Sequence, residues 1–380
     1  MKTKIVQFLA LILRLFMKII YAFMKLKKTK NKKIVFCSRQ SSELTLDYQM
    51  IIDRLKAEDP DVEIITICHR IGKGLSAVKF MGALLKSMHH LANARVCIID
   101  AYWPAVSMLN HKKDLTVIQL WHAIGKIKKS GYAAVGKKGG RKAEYAKTLH
   151  MHENYDYIIA GGKAWNKYYV ESFHCDEKVL LNYGLPRIDY LIETQEENIN
   201  KLYDKYAYLK DKRIILYAPT FRRNMEGNWH PIVEAVKGKD IELVIKLHPR
   251  EMGADMSFLK GVPNISLCPE ISTMEIMAAA EAVITDYSAI ALEAACLNKK
   301  VYWWLYDYED YMANNGINLD PFREVPKASY KDIVELINDV EKGEEHGEWY
   351  QEFRKNYLPE DLGHSTEKIC KLIESKLQVK

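Results

Sequence analysis

The chain has 380 residues, 48% hydrophobic, 28% charged and 11% aromatic, a folded globular composition that excludes a disordered, collagenous or coiled-coil protein. Its net charge is +7, yet residues 1–33 hold nine Lys, one Arg and no acid, so the other 347 residues sum to −3. Basic charge confined to one end argues against a nucleic-acid binder, which spreads such residues over a groove-facing surface. Seven Cys without a CxxC pair argue against a zinc site or a secreted disulfide scaffold and place the chain in a reducing compartment.

Residues 5–24, IVQFLALILRLFMKIIYAFM, are apolar but broken by Arg14 and Lys18, short of the ~18–20 clean residues of a spanning helix. At 100° per residue Gln7, Arg14, Lys18 and Lys25 fall in one stripe. The expectation is an amphipathic helix lying in the bilayer interface with that stripe toward the headgroups. The following KLKKTKNKK cluster would be drawn to anionic lipid at about 1 kcal/mol per basic residue. A spanning anchor and an uncleaved signal peptide are the alternatives. Domain bounds follow as a membrane-associating helix over 1–30, an N-terminal domain over 31–192, a linker over 193–210, a second domain over 211–355 and a C-terminal helix over 356–380.

From Lys33 onward short β-branched runs alternate with helical stretches, the pattern of parallel α/β units. Strands are predicted at Lys33–Cys37, Val62–Cys68, Arg95–Asp100, Thr116–Leu120, Asp156–Ala160 and Val179–Tyr183. A second set is predicted at Arg213–Ala218, Ile241–Leu247, Ile265–Cys268, Ala282–Thr285 and Val301–Leu305. Between the sets, polar Glu193–Leu209 reads as a helical linker, and Thr366–Val379 as an amphipathic helix. The fold class is α/β, two doubly wound Rossmann-like halves facing a cleft. Such sheets bind ligands beyond the carboxyl ends of their strands, so segments just after strands matter most.

Four segments stand there. Thr116–Gly131 runs from a buried strand into His122 and the basic cluster Lys126, Lys128 and Lys129. Imidazole titrates nearest neutrality and suits acid–base work at a cleft, while a core histidine beside Trp121 is the structural alternative. Arg213–Arg223 ends its strand at Pro219 and offers the Thr220 hydroxyl and the Arg222 and Arg223 forks to phosphate. Leu243–Arg250 places Lys246, His248 and Arg250 at alternate positions, on one face of an extended strand. In Ile271–Glu293, Ser272 and Glu275 form a capping box at the start of a helix over Met274–Ala282, and Asp286-Tyr287-Ser288 turns into a second helix; such helix starts hold phosphate. There is no GxxxxGK[ST], no GxGxxG after the first strand and no GxSxG, which argues against a P-loop nucleotidase, a dinucleotide dehydrogenase and a serine hydrolase. Two His and several cations at strand ends suit the holding of a nucleotide diphosphate and the transfer of one of its groups.

QLWHAIGKIKKSG, GLPRID at Gly184–Asp189, YAPTFR, IKLHPR and ITDYSAI followed by YDYEDY occur in an order that resembles the CDP-glycerol:polyglycerol-phosphate glycerophosphotransferases of teichoic acid and capsule synthesis. The resemblance covers roughly residues 95–325. It implies a GT-B-like fold with an acceptor domain followed by a CDP-alditol domain, and it implies that His122 and His248 are required. Ala123 replaces a Gly found in many members, a change also seen in members that transfer ribitol phosphate, and Ala289 replaces a usual second Ser. The length is closer to the short, membrane-associated enzymes that add a first unit. The resulting expectation is transfer of alditol phosphate, glycerol first and ribitol as the alternative, from a CDP-alditol to a lipid-linked saccharide at the cytoplasmic face of the membrane, releasing CMP. His122 would be the base, with Lys126, Lys128 and Lys129 on the acceptor side. His248, Lys246, Arg250, Thr220, Arg222, Ser272, Thr273, Asp286 and Ser288 would hold the donor. No obligatory cofactor, bound metal or nucleic-acid partner is expected, with free Mg²⁺ open as an aid to the diphosphate. A GT-B sugar transferase using a nucleotide-sugar is the remaining alternative.

Overall fold

The computed structural model describes residues 2–70, 75–138, 140–221, 229–246 and 259–378. Among the described residues, short runs rich in Ile, Val and Cys form twelve strands, with one at the place of every predicted strand. In the first set these are β1 (Lys33–Ser38), β2 (Glu63–Cys68), β3 (Val96–Ile99), β4 (Thr116–Gln119), β5 (Tyr157–Ile159) and β6 (Leu180–Leu181). The second set comprises β7 (Ile214–Tyr217), β8 (Glu242–Ile245), β9 (Ile265–Ser266), β10 (Ala282–Thr285), β11 (Lys300–Trp304) and β12 (Ser329–Tyr330). The two-residue β12 carries no periodicity, and the sequence reading missed it.

Each set makes one six-stranded sheet, with orders β2-β1-β3-β4-β5-β6 and β12-β11-β10-β7-β8-β9, and every strand pair is parallel. Parallel strands need helical crossovers that cover the sheet, which is why β1, β3, β7, β8, β10 and β11 are buried end to end. Successive side chains point to opposite faces. Val35 and Cys37 pack with Leu84, Met88 and Leu91 of helix Leu75–Leu91, while Phe36 meets Tyr48 of helix Leu46–Glu58 edge-on at 5.0 Å.

The chain falls into two compact units. One comprises residues 1–124, 129–189 and 359–380; the other comprises residues 125–128 and 190–358. Helix Gln195–Lys205, read as a linker, is part of the second unit and packs on helix Thr273–Ala279. Helix Ser365–Leu377 returns to the first unit and packs on helix Leu46–Glu58. Its anchor is the buried Asp189, which accepts from Ser365 N (3.0 Å), Thr366 N (2.6 Å) and Thr366 Oγ1 (2.7 Å). Beside it Gly184, at φ +77°, lies so close to Pro359 that a Cβ would come within 2.9 Å of its ring. Arg187 grips the buried Asp47 through its backbone N (2.8 Å) and its guanidinium. Much of GLPRID is therefore a staple of the first unit.

Helix Lys2–Met24 seats Met17 and Tyr21 in the first unit's core, Tyr21 Oη lying 2.8 Å from His111 Nδ1. This overturns the expected orientation of the charged stripe. Arg14, Lys18 and Lys25 are half-buried, Lys25 donating to Asn110 O, while Phe8, Leu11, Leu15, Phe16, Ile19, Phe23 and Leu26 are exposed. Tyr21 and Met17 supply the packed seam because they share a face with the basic residues. Among the described residues no helix is long and apolar enough to cross a membrane.

Candidate active site

In both sheets the crevice that collects ligands is set by the strand order. In the first, successive connections depart to opposite sides at β1 and β3; in the second they do so at β7 and β10.

At the first switch point Ser38, ending β1, donates to Asp100, following β3, at 2.5 Å, and Arg39 N lies 3.4 Å from the same carboxylate. Burial pushes the Asp100 carboxyl up to about 6, against the pull of these two donors. His122, three residues beyond the end of the neighbouring β4 by way of Leu120 and Trp121, reaches back so that Nδ1 lies 2.9 Å from Asp100 O and 3.3 Å from Gln40 Nε2. The carbonyl only accepts and the Gln40 amide nitrogen only donates; when the shorter contact is the hydrogen bond, Nδ1 carries the proton and Nε2 the lone pair. That is the tautomer a general base requires. Trp121 sets the ring's direction. It has left-handed backbone (φ +62°), its N–H donates to Gln119 Oε1 at 2.9 Å, and its indole lies 4.1 Å from the imidazole. A bulky residue in that conformation stores backbone strain, a feature that gathers at functional sites. His122 opens on two cavities. One, of about 270 Å³, is shared with Arg39, Tyr102, Lys129, Arg141 and His152; the other, of about 210 Å³, with Thr45, Asp47, Asp100 and Arg187.

The second switch point is stitched by polar groups. Asp286, just past β10, accepts Thr220 N with both oxygens at 3.0 Å, and Thr285 Oγ1 donates to Ala218 O at 2.7 Å. Asp286 thus holds the loop after β7 in place, a positioning task for a residue expected to face phosphate. Ser288 is half-buried, its Oγ 3.4 Å from Ile290 N. Ser272 and Glu275 close the expected capping box, with Thr273 as the first helical residue. Lys246 Nζ donates to Cys268 O (3.1 Å) and Ile271 O (2.6 Å), securing the loop that leads into that cap, and burial lowers its pKa. Tyr287 and Tyr311, from ITDYSAI and YDYEDY, stack at 3.8 Å in the interior, with Tyr287 Oη 3.3 Å from Asp307.

The basic loop divides. Lys129 belongs to the first unit, whereas residues 125–128 group with the second. There Asn318 N donates to Ile127 O (2.7 Å), Asn318 Nδ2 to Lys126 O (2.8 Å), and Lys128 pairs with Ile317. Lys126 is buried, and Lys128 Nζ lies 3.4 Å from Thr220 Oγ1. Lys126 and Lys128 therefore sit in the unit expected to hold the donor, not the acceptor. The sequence reading took the run as one surface because adjacent lysines give no sign of a crossing between units. His248, Arg250 and Arg222 lie outside the described residues. Among the described residues no group of three or more His, Cys, Asp or Glu could hold a metal ion.

Sequence reasoning missed Arg39, Tyr102, Arg141 and His152. Their signal, a position just after β1 or β3 or in the loop beyond His122, needs the strand order before it can be read.

Two parallel sheets, each with polar residues gathered at its switch point and one with a base-competent histidine, define an α/β enzyme of the group-transfer class. Residues 19–375 match the family described as CDP-Glycerol:Poly(glycerophosphate) glycerophosphotransferase, and the chain belongs to it; it is a transferase. It is 30% identical over 361 residues to the teichoic acid ribitol-phosphate primase of Bacillus spizizenii (strain ATCC 23059 / NRRL B-14472 / W23), spanning 92% of each chain. It is also 30% identical over 268 residues to the teichoic acid glycerol-phosphate primase of Bacillus subtilis (strain 168), spanning 68% of each. The solved wall teichoic acid polymerase TagF shares the fold with a TM-score of 0.76 at 19% identity, 98% of each chain being covered.

Proposed function

We propose that the enzyme transfers an alditol phosphate from a CDP-alditol to a hydroxyl of a lipid-linked saccharide in teichoic acid synthesis. The acceptor oxygen forms a bond to the alditol-bearing phosphorus, the bond from that phosphorus to the CMP phosphate breaks, and CMP departs with the electron pair. His122 Nε2 takes the acceptor proton. The observation that carries this reading is the placement of His122 at a switch-point crevice, with Nδ1 2.9 Å from Asp100 O. The two units would then be the halves of a GT-B-like enzyme. The first would take the acceptor, and the second the donor, through Thr220, Lys128 and the segment containing His248 and Arg250. Free Mg²⁺ would serve only to screen the diphosphate.

Glycerol is the alditol of the family's description, and ribitol is a second reading supported by the ribitol-phosphate primase matched over 92% of both chains. CMP release measured with CDP-glycerol, CDP-ribitol and UDP-sugars separates them. One CDP-alditol is expected to exceed the other by at least tenfold in kcat/KM, and UDP-sugars to be inert. Turnover of a UDP-sugar alone would remove the proposal.

The exposed face of helix Lys2–Met24 supports peripheral attachment at the cytoplasmic face of the membrane, where a lipid-linked acceptor is confined. Phe16 and Ile19, exposed by 58% and 52%, are each worth about 1.5–3 kcal/mol when buried in an apolar phase. The double variant Phe16→Ser/Ile19→Ser is expected to lose on the order of 100-fold in partitioning to vesicles containing anionic lipid, measured by co-sedimentation. Unchanged partitioning would show that this face does not meet lipid.

A further inference from the structure

His122 gains a positive charge when Nε2 takes the acceptor proton, and one side of its surroundings opposes that charge. Arg39, Lys129 and Arg141 line the 270 Å³ cavity together with His122, and like charges disfavour the protonated ring. The carboxylates lie on the other side, where Asp47 and Asp100 line the 210 Å³ cavity. Asp47 is taken by Arg187, whose backbone N (2.8 Å), Nε (2.9 Å) and Nη2 all donate to it. Asp100 is met by uncharged donors, Ser38 Oγ at 2.5 Å and Arg39 N at 3.4 Å. It is also the residue whose carbonyl lies 2.9 Å from His122 Nδ1. Carboxylate and carbonyl belong to one residue, so what fixes the side chain also fixes the carbonyl beside the ring. Ser38, buried at the end of β1, donates to the Asp100 carboxylate while its Oγ faces Gln40 N (3.2 Å) and Ser41 N (3.4 Å). The same turn carries the Gln40 amide to 3.3 Å from Nδ1. One buried carboxylate thus organises both contacts of the imidazole nitrogen.

We propose that Asp100 is a positioning residue of the transfer site: its carboxylate holds the turn that presents Gln40 and its own carbonyl to His122, and its charge supports the imidazolium. The inference rests on the transfer reading above and adds the group that makes its base effective. The proton stays on Nε2 while the acceptor oxygen bonds to phosphorus, and it passes to water once CMP has left. The groups facing Asp100 are Arg39 beyond β1, Cys37 on β1, Cys68 on β2, Asp47 and Tyr48 on helix Leu46–Glu58, and His122 beyond β4, with Arg187 on the same cavity. Burial drives both thiols and the Tyr48 hydroxyl up, so they stay neutral, leaving Arg39, Arg187, Asp47 and His122 as the groups that bear charge. Burial also raises the Asp100 carboxyl to about 6, with Asp47 adding to the rise and Ser38 and Arg39 N opposing it. The carboxylate is therefore charged at neutral pH, and its support of the imidazolium fades as pH falls through about 6.

The test uses the full chain and follows CMP release from a CDP-alditol across pH. Asp100→Asn keeps the shape of the side chain and an oxygen for Ser38, and it removes the charge. Its kcat is expected to fall about tenfold or more with KM for the CDP-alditol within a few-fold, and the acid limb of kcat/KM to move down by about one pH unit. Ser38→Ala acts in the opposite direction: the carboxyl loses a donor and protonates at higher pH, so the acid limb moves up. Loss of kcat with the limb unmoved in both variants, the mark of a merely structural role, would overturn the proposal, as would near-normal turnover in Asp100→Asn. NMR titration of the chain carrying isotope-labelled histidine, with His122 assigned by its absence in His122→Ala, reads the same coupling without turnover. A lower His122 pKa in Asp100→Asn supports the proposal, and an unchanged one refutes it. A parent chain that shows this coupling yet releases no CMP from any CDP-alditol would instead sink the transfer reading and leave the Asp100–His122 pairing standing. Circular dichroism screens each variant for folding, and Ser38→Ala carries the test alone if Asp100→Asn unfolds.

Discussion

His122→Ala is expected to lower kcat by about 10²–10⁴-fold, the usual worth of a positioned acid–base group, while KM for the CDP-alditol stays within a few-fold. The reason is geometric. With Nδ1–H donating to Asp100 O at 2.9 Å, Nε2 is the nitrogen that would take the proton of an acceptor hydroxyl. His122→Asn is expected to be as damaging, because an amide keeps the hydrogen bond to Asp100 and has no basic nitrogen. Initial rates of CMP release decide the matter, and near-normal turnover in either variant removes His122 from the chemistry. Substitution of His248 differs in kind, since it should weaken donor binding and turnover together.

The second large effect is on stability. Asp189→Ala is expected to destabilise the first unit by roughly 3–5 kcal/mol. The buried carboxylate accepts three hydrogen bonds, each worth about 1.5–3 kcal/mol when charged, and partial relaxation recovers some of that sum. Its loss leaves the first N–H groups of helix Ser365–Leu377 without an acceptor, and that helix packs on helix Leu46–Glu58. Thermal unfolding should shift down on the order of 10 °C. A shift under 1 °C would show that the staple does not hold the C-terminal helix.

All eleven predicted strands are present, because a parallel sheet buried on both faces demands continuous β-branched runs, and composition reports such runs directly. The Ser272–Glu275 box was legible for a similar reason: it is local, complete within four residues. What stayed hidden was long-range. Asp47 and Arg187 are 140 positions apart, as are Asp189 and Ser365 by 176, and no spacing rule joins them. Residues 125–128 leave one unit for the other within a single basic run, which only the partner Asn318 reveals. The tyrosines Tyr287 and Tyr311 of ITDYSAI and YDYEDY, which the sequence offers only as motif residues, are a buried stack in the fold. Asp286 looked like a phosphate neighbour and is bound to the Thr220 N–H. A motif reports that residues are needed, and burial and partners decide what for.

The central claim, alditol-phosphate transfer with CMP as the leaving group, is tested most directly by a single measurement. The enzyme is incubated with CDP-glycerol or CDP-ribitol and a lipid-linked saccharide, and CMP and the acceptor's mass are followed together. The account predicts one CMP released per alditol phosphate gained by the acceptor, with both signals lost together in His122→Ala. CMP release without a gain in acceptor mass, or equal gain in the variant, would contradict it.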